Sequence, residues 1–508
     1  MSTHAVEFLS ESDTRPGRVA VINPANIDGL DACIEDARQA AGDQDPGPPE
    51  PDHYTLLLGR LEAIGGKFSP VYRDAMVTPF FNTLRQIGEA GFRRIVASDP
   101  QRQGVGGLMM DIAQALLQHG EEFSKPASDA FEEVVSDLYD GFLSAEDRQG
   151  VNPPDLGVVP PLVKWGNPSF GPYTWPVDAT SAFGCKAAVV NLPPANSRKG
   201  LVAWSALGHE TAGHDILHAD TGLQAELSEA LQRNLGRLGH DLDQYWSSRI
   251  DETAADVMGI LNLGPAAGIG LVAYFRALNA AFTGQAKLRS EGPVDDPHPA
   301  DVLRGYLAAE TVALLKFSGH RVWSQLIANE TNKDVETIAL AGEVVSEQIA
   351  RQSAKIVAQT LAGYRAKALE NHALGQIQNW SDGDERKVAQ VRAALRTGGQ
   401  LPASPTAPIY AAHAVAGAVT EALANGSQLD TLFIRMIAVL DALRQGNPAC
   451  GPLFVVCRGN LKRDLVYWPG TKPRSGAPPR QMQLVSSKIT SRRKSVGPVK
   501  LPRTRPRG

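Results

Sequence analysis

Cysteine is scarce: the 508 residues contain four, Cys33, Cys185, Cys450 and Cys457, and no two form a C-x-x-C motif. This excludes a disulfide framework and a cysteine-built zinc finger. It suits a reducing compartment, with Cys450 and Cys457 able to pair only in an oxidising one. The first eleven residues lack the basic start and apolar stretch of a secretory signal, so the expected location is cytoplasmic. A nucleotide loop is also missing. Gly104-Val-Gly106-Gly107 has no strand before it and no lysine in register after it, and reads as a loop that starts a helix. A single uncharged run, residues 257–275, is long enough to cross a bilayer. Gly264-Pro265 interrupts it, which predicts a buried pair of helices and no transmembrane segment.

What the chain does have is helical patterning. Residues 1–52 read as a strand at 18–22, an amphipathic helix near 26–41 and a Pro-rich linker at 42–52. Residues 53–150 form a helical region, with Met109, Ile112, Leu116 and Leu117 on one core face. Residues 153–176 are rich in proline, glycine and aromatics and read as an ordered loop lining a cleft or joining two lobes. Beyond it, residues 301–318, 322–328, 333–379 and 407–445 all read as helix, with a break at 398–408. The expected organisation is a core at 151–330, a helical region at 331–457 and a tail at 458–508.

Charge is distributed unevenly. Residues 458–508 carry fourteen Lys or Arg and one Asp, a net of +13, which leaves −18 for the rest of a chain whose total is −5. Such a Pro-rich basic tail is expected to be largely disordered and to attract an acidic partner or nucleic acid without sequence preference. It lacks the interleaved aromatics of a specific nucleic-acid reader. Residues 461–468 could add one strand before it.

The segment His209-Glu210-Thr211-Ala212-Gly213-His214, followed by Glu252-Thr253-Ala254-Ala255-Asp256, carries the chemistry. Two imidazoles and a carboxylate are the ligand set of a hydrolytic zinc, which keeps one coordination position open for water. A neighbouring Glu can take a proton from that water and pass it to a leaving amine. The usual spacing is H-E-x-x-H, one helical turn. Here the histidines are five apart, and on an α-helix five residues turn through about 500°, pointing the second imidazole about 140° away from the first. A π-bulge absorbs the extra residue and returns both to one face. Gly213 relieves crowding where the helix widens.

The string H-E-x-x-G-H resembles the zinc-binding helix of the dipeptidyl peptidase III family, gluzincin metallopeptidases. The resemblance covers little of the chain. It implies His209 and His214 as zinc ligands, Glu210 as general base and Glu252 as third ligand. A second resemblance rests on Glu252-x-x-Ala255-Asp256 and His298-Pro299-x-x-x-x-Arg304, similar to the E-x-x-A-D and H-P-x-x-x-x-R elements of the prenyl-protein endopeptidase gluzincins. Those relatives are membrane-embedded and use H-E-x-x-H, so this likeness speaks for the metal site and little for the substrate. Asp256, one turn after Glu252, shares its helix face and is suited to receive the free N–H of a liganding imidazole.

Two rival registers exist. His214 and His218 share a face without any bulge, but Asp215 would then stand where the catalytic Glu belongs. We take His218 as a residue behind the ligands or at the surface. His214-Asp215 also matches the doublet of HD phosphohydrolases, with His119 and Asp251 as conceivable further ligands. Upstream, residues 185–192 read as a short strand closed by Pro193-Pro194, either an ordinary edge strand or one that pairs with an extended substrate.

The expectation is therefore a mainly α protein with a small β-sheet (α+β), a zincin-like metal-helix core and an added helical bundle. Its expected activity is zinc-dependent hydrolysis of a peptide or protein substrate with Glu210 as base. Oxyanion support is expected from His298, Tyr306 or His320, with His298 preferred; its structural role would be an orienting contact shared with Arg304 and Asp256. The alternatives are an HD-type phosphohydrolase and a non-catalytic helical scaffold with a degenerate metal site.

Overall fold

The computed structural model describes residues 25–143, 151, 154–156, 159–398, 401, 409–446, 454–456 and 465–467. The expected strand at 18–22 and nearly all of the basic tail lie outside these residues, as do Cys450 and Cys457. The fold is mainly α, with small sheets.

The first sheet has strand order β1-β3-β2, formed by Leu162–Trp165 (β1), Tyr173–Trp175 (β2) and Val189–Leu192 (β3). β1 runs parallel to β3, and β2 runs antiparallel to it. The sheet is a wall between two apolar cores. Because strand side chains alternate, Leu162 and Val189 enter a smaller core built on residues 57–117, while Val163, Trp165, Val190 and Leu192 enter a larger one that reaches from Leu30 to Leu440. The strand expected at 185–192 is thus present only at its C-terminal half, and it is central and buried, with no edge to offer a substrate. Its neighbours lie in the stretch that reads as loop. The edges of this sheet are β1 and β2.

The helix Val105–Gly120 lies in the smaller core, with Met109, Ile112, Leu116 and Leu117 buried as their spacing predicts. Gly104 sits at its N-cap, so the glycine-rich stretch does start a helix. It also buries Asp111, which ion-pairs with Lys164 and accepts hydrogen bonds from Tyr173 Oη and Trp175 Nε1, each at 2.8 Å. A buried carboxylate needs such partners. Two side chains on one face of β2 are thereby pinned, and Thr174 is turned to the opposite face.

Residues 257–274 are all buried, and the run breaks at Gly264, whose φ of 67° favours glycine; Pro265 opens the next helix. The two helices are Ile250–Leu263, here the carboxylate helix, and Pro265–Thr283, here the apolar helix. The apolar helix is long and apolar enough to span a bilayer, though 61% of its most apolar window is buried within the protein.

A further expectation fails. Residues 333–379 do not form helix throughout: Ile338–Leu340 (β5) and Glu343–Val345 (β6) make a hairpin, joined by Glu291–Gly292 (β4) alongside β5. Ala341 and Gly342, both at positive φ, form its two-residue turn. The helical segment expected at 407–445 is two helices, Ala411–Ala424 and Leu429–Gly446. Leu465–Tyr467 (β8), within the strand expected at 461–468, pairs with Phe454–Val456 (β7).

Candidate metal centre

Gly208–Asp215 is a π-helix of eight residues. The wider turn places the two imidazoles on one face, with His209 Nε2 and His214 Nε2 3.0 Å apart and the rings perpendicular. The carboxylate helix packs against it through glycine. A Cβ on Gly213 would stand 2.5 Å from Ala255 Cα, and one on Gly208 would stand 2.6 Å from a Leu263 methyl. This close approach delivers Glu252, with Oε2 3.3 Å from His209 Nε2 and Oε1 3.4 Å from His214 Nε2.

His209, His214 and Glu252 form a group that can hold a metal ion, their ligand atoms all lying within 4.8 Å of one another. Tetrahedral zinc, with bonds of about 2.0–2.1 Å, requires ligand atoms about 3.3–3.4 Å apart. The two nitrogen–oxygen separations are of that size, each to a different oxygen of Glu252, and the nitrogen–nitrogen one is slightly shorter. Glu252 Oε2 is buried and makes no hydrogen bond, its one nearby guanidinium being Arg304 at 3.5 Å, which leaves the oxygen open to a metal ion. Burial opposes ionisation of Glu252, but His214 and His209 outweigh it and hold the carboxyl well below its usual range.

Each imidazole has a carboxylate behind it. Asp256 Oδ1 lies 2.8 Å from His209 Nδ1, though the N–H is not aligned for a hydrogen bond. Arg304 clamps Asp256 with two 2.7 Å hydrogen bonds. Behind His214, Asp251 Oδ2 lies 3.3 Å from Nδ1. The other oxygen of Asp251 is 2.9 Å from His218 Nε2, and His218 Nδ1 is 3.0 Å from Asp178. Although burial pulls the His218 pKa down, Asp178 and Asp251 raise it to about 9. His218 therefore stands behind the ligand group rather than within it.

Glu210 lines the same cavity as the ligand group, a cleft of about 530 Å³. Thr174 donates to its Oε2 at 2.7 Å. His298 is on the rim, with Nε2 3.3 Å from Glu252 Oε1 and Nδ1 3.0 Å from Asp296. The expected contact of His298 shared with Arg304 and Asp256 is replaced by this one with Asp296 and Glu252. Tyr306 donates to Asn332 and His320 contacts the Ala313 carbonyl, and neither lines the cavity. Tyr274 does, close enough to Glu210 that burial first and the carboxylate second raise its pKa.

Thr174, Tyr274 and the ligand-backing role of Asp251 went unread in the sequence. Only Asp251, adjacent to Glu252, carried a local signal. Asp215 is buried and does not line the cavity, and His119 pairs with Glu132 and stacks on Phe68. Comparison with protein-family models, curated proteins and solved structures finds no match.

Proposed function

We propose that this chain is a gluzincin-like zinc metallopeptidase acting on a peptide or protein substrate. One observation carries the reading: a two-histidine, one-glutamate ligand group shares a cavity with a glutamate that directly follows its first ligand. When bound, zinc supplies an acidified water and polarises the substrate carbonyl. Glu210 accepts the proton at Oε1, the oxygen Thr174 does not engage, and delivers it to the leaving amine. Asp256, fixed by Arg304, orients His209, and Asp251, fixed by His218, orients His214. We assign oxyanion support to His298 and Tyr274, which line the cavity together with Glu210 and the ligand group.

The phosphohydrolase alternative needs Asp215 at the ion, and its burial outside the cavity does not favour it. The test is hydrolysis of a peptide library by zinc-loaded wild type and Glu210→Gln. The expected result is a loss of about 10²- to 10⁴-fold in rate with metal retained. Undiminished cleavage by Glu210→Gln overturns the assigned base. Turnover of phosphate esters but not peptides favours the alternative, and metal binding without turnover favours the scaffold.

A further inference from the structure

The cavity has a chemical direction. On the apolar helix, Leu271, Phe275, Leu278 and Phe282 all line it, at the spacing of one helix face. Exposure rises along this stripe: Leu271 is 4% exposed, Phe275 and Leu278 are intermediate, and Phe282 is 60% exposed. Eleven residues of helix span about 16 Å. Phe170, also in the lining, is 40% exposed and lies in a turn beside Gly171, where a Cβ would stand 3.9 Å from the Tyr274 hydroxyl. Two phenylalanines are thus left in water at the mouth of a cleft whose inner end is polar.

Isolated exposed apolar residues need no explanation, but an apolar ramp leading to a charged cluster does. Beside it runs β2, which among the described residues has no strand on its outer side. Thr174 of that strand touches Glu210.

We propose that the cleft takes an extended apolar peptide segment, lying between β2 and the apolar helix, with large side chains on Leu278, Phe282 and Phe170. This rests on the metallopeptidase reading and narrows it to a substrate class. About 16 Å of ramp accommodates roughly five residues of extended chain. An edge strand provides backbone hydrogen bonds that are indifferent to sequence, and the ramp provides the preference for apolar side chains. A folded globular substrate keeps such side chains in its core, so the occupant is an unfolded or terminal segment.

The test uses the full chain as Glu210→Gln, zinc-loaded, titrated by fluorescence anisotropy with labelled peptides of about eight residues. One peptide is rich in Leu and Phe, and the other has the same length and charge with Ser and Asn in their place. Tighter binding of the apolar peptide by about tenfold or more is expected, with most of that preference lost in the added change Phe282→Glu. Phe282 is solvent-facing, and unchanged zinc content shows that the variant is folded. Equal binding of the two peptides, or an unaltered preference in Phe282→Glu, overturns the proposal. Cleavage by the wild type separates the readings. Selective binding without any cleavage keeps the groove and removes the peptidase, whereas equal cleavage of both peptides does the reverse.

Discussion

Gly259 lies directly against the backbone of His209: a Cβ there would stand 2.8 Å from the His209 nitrogen. The carboxylate helix thus reaches the metal helix only because a side chain is missing at the crossing. Gly259→Ala is expected to push the helices apart and separate Glu252 from the imidazoles. Overpacking of this kind costs about 1–3 kcal/mol. Thermal unfolding and zinc titration of the variant should both show a loss, and a variant with wild-type zinc affinity would contradict the close-approach account.

The carboxylates behind the imidazoles set how firmly the ligands are held. Asp251→Asn and Asp256→Asn are each expected to weaken zinc binding by about 10- to 100-fold, as such changes do at other sites. Competition against a fluorescent chelator measures this. His218→Asn should show a smaller loss, because it touches Asp251 and not the ligand.

Away from the cleft, Glu132 is largely buried, and burial alone would raise its pKa. His119 and Arg444 outweigh that effect and lower it to about 2. A carboxyl depressed in the folded state adds stability above its unfolded value of about 4.3, and that stability disappears as pH falls towards about 2. Glu132→Gln should therefore be less stable than wild type at pH 7, by about 3 kcal/mol if the buried ion pair behaves typically. The gap should narrow between pH 4.5 and 2 in urea unfolding. A gap that stays constant through that window would contradict the ionised state assigned to Glu132.

Local spacing made part of the site legible. An offset of five between the histidines forces a widened turn if both are to face one ion, and an offset of four from Glu252 to Asp256 puts two carboxylates on one face. Thr174 and Tyr274 carry no such signal, because their relation to Glu210 depends on where β2 and the apolar helix dock. β3 was legible as a strand but not as a central one, since its neighbours are strands of three and four residues in a proline- and glycine-rich stretch. The hairpin at residues 338–345 was hidden by the helical composition around it, with only Ala341-Gly342 marking its turn. The Gly264-Pro265 break was readable because both residues oppose helix continuation through backbone geometry alone.

The most direct test of the account is the zinc content of the purified full chain after dialysis against zinc and then buffer. One zinc per chain is predicted for the wild type and for Glu210→Gln, and none for His214→Ala. A wild-type chain that retains no zinc, or a His214→Ala chain that retains as much as the wild type, would contradict the claim that His209, His214 and Glu252 converge on one ion.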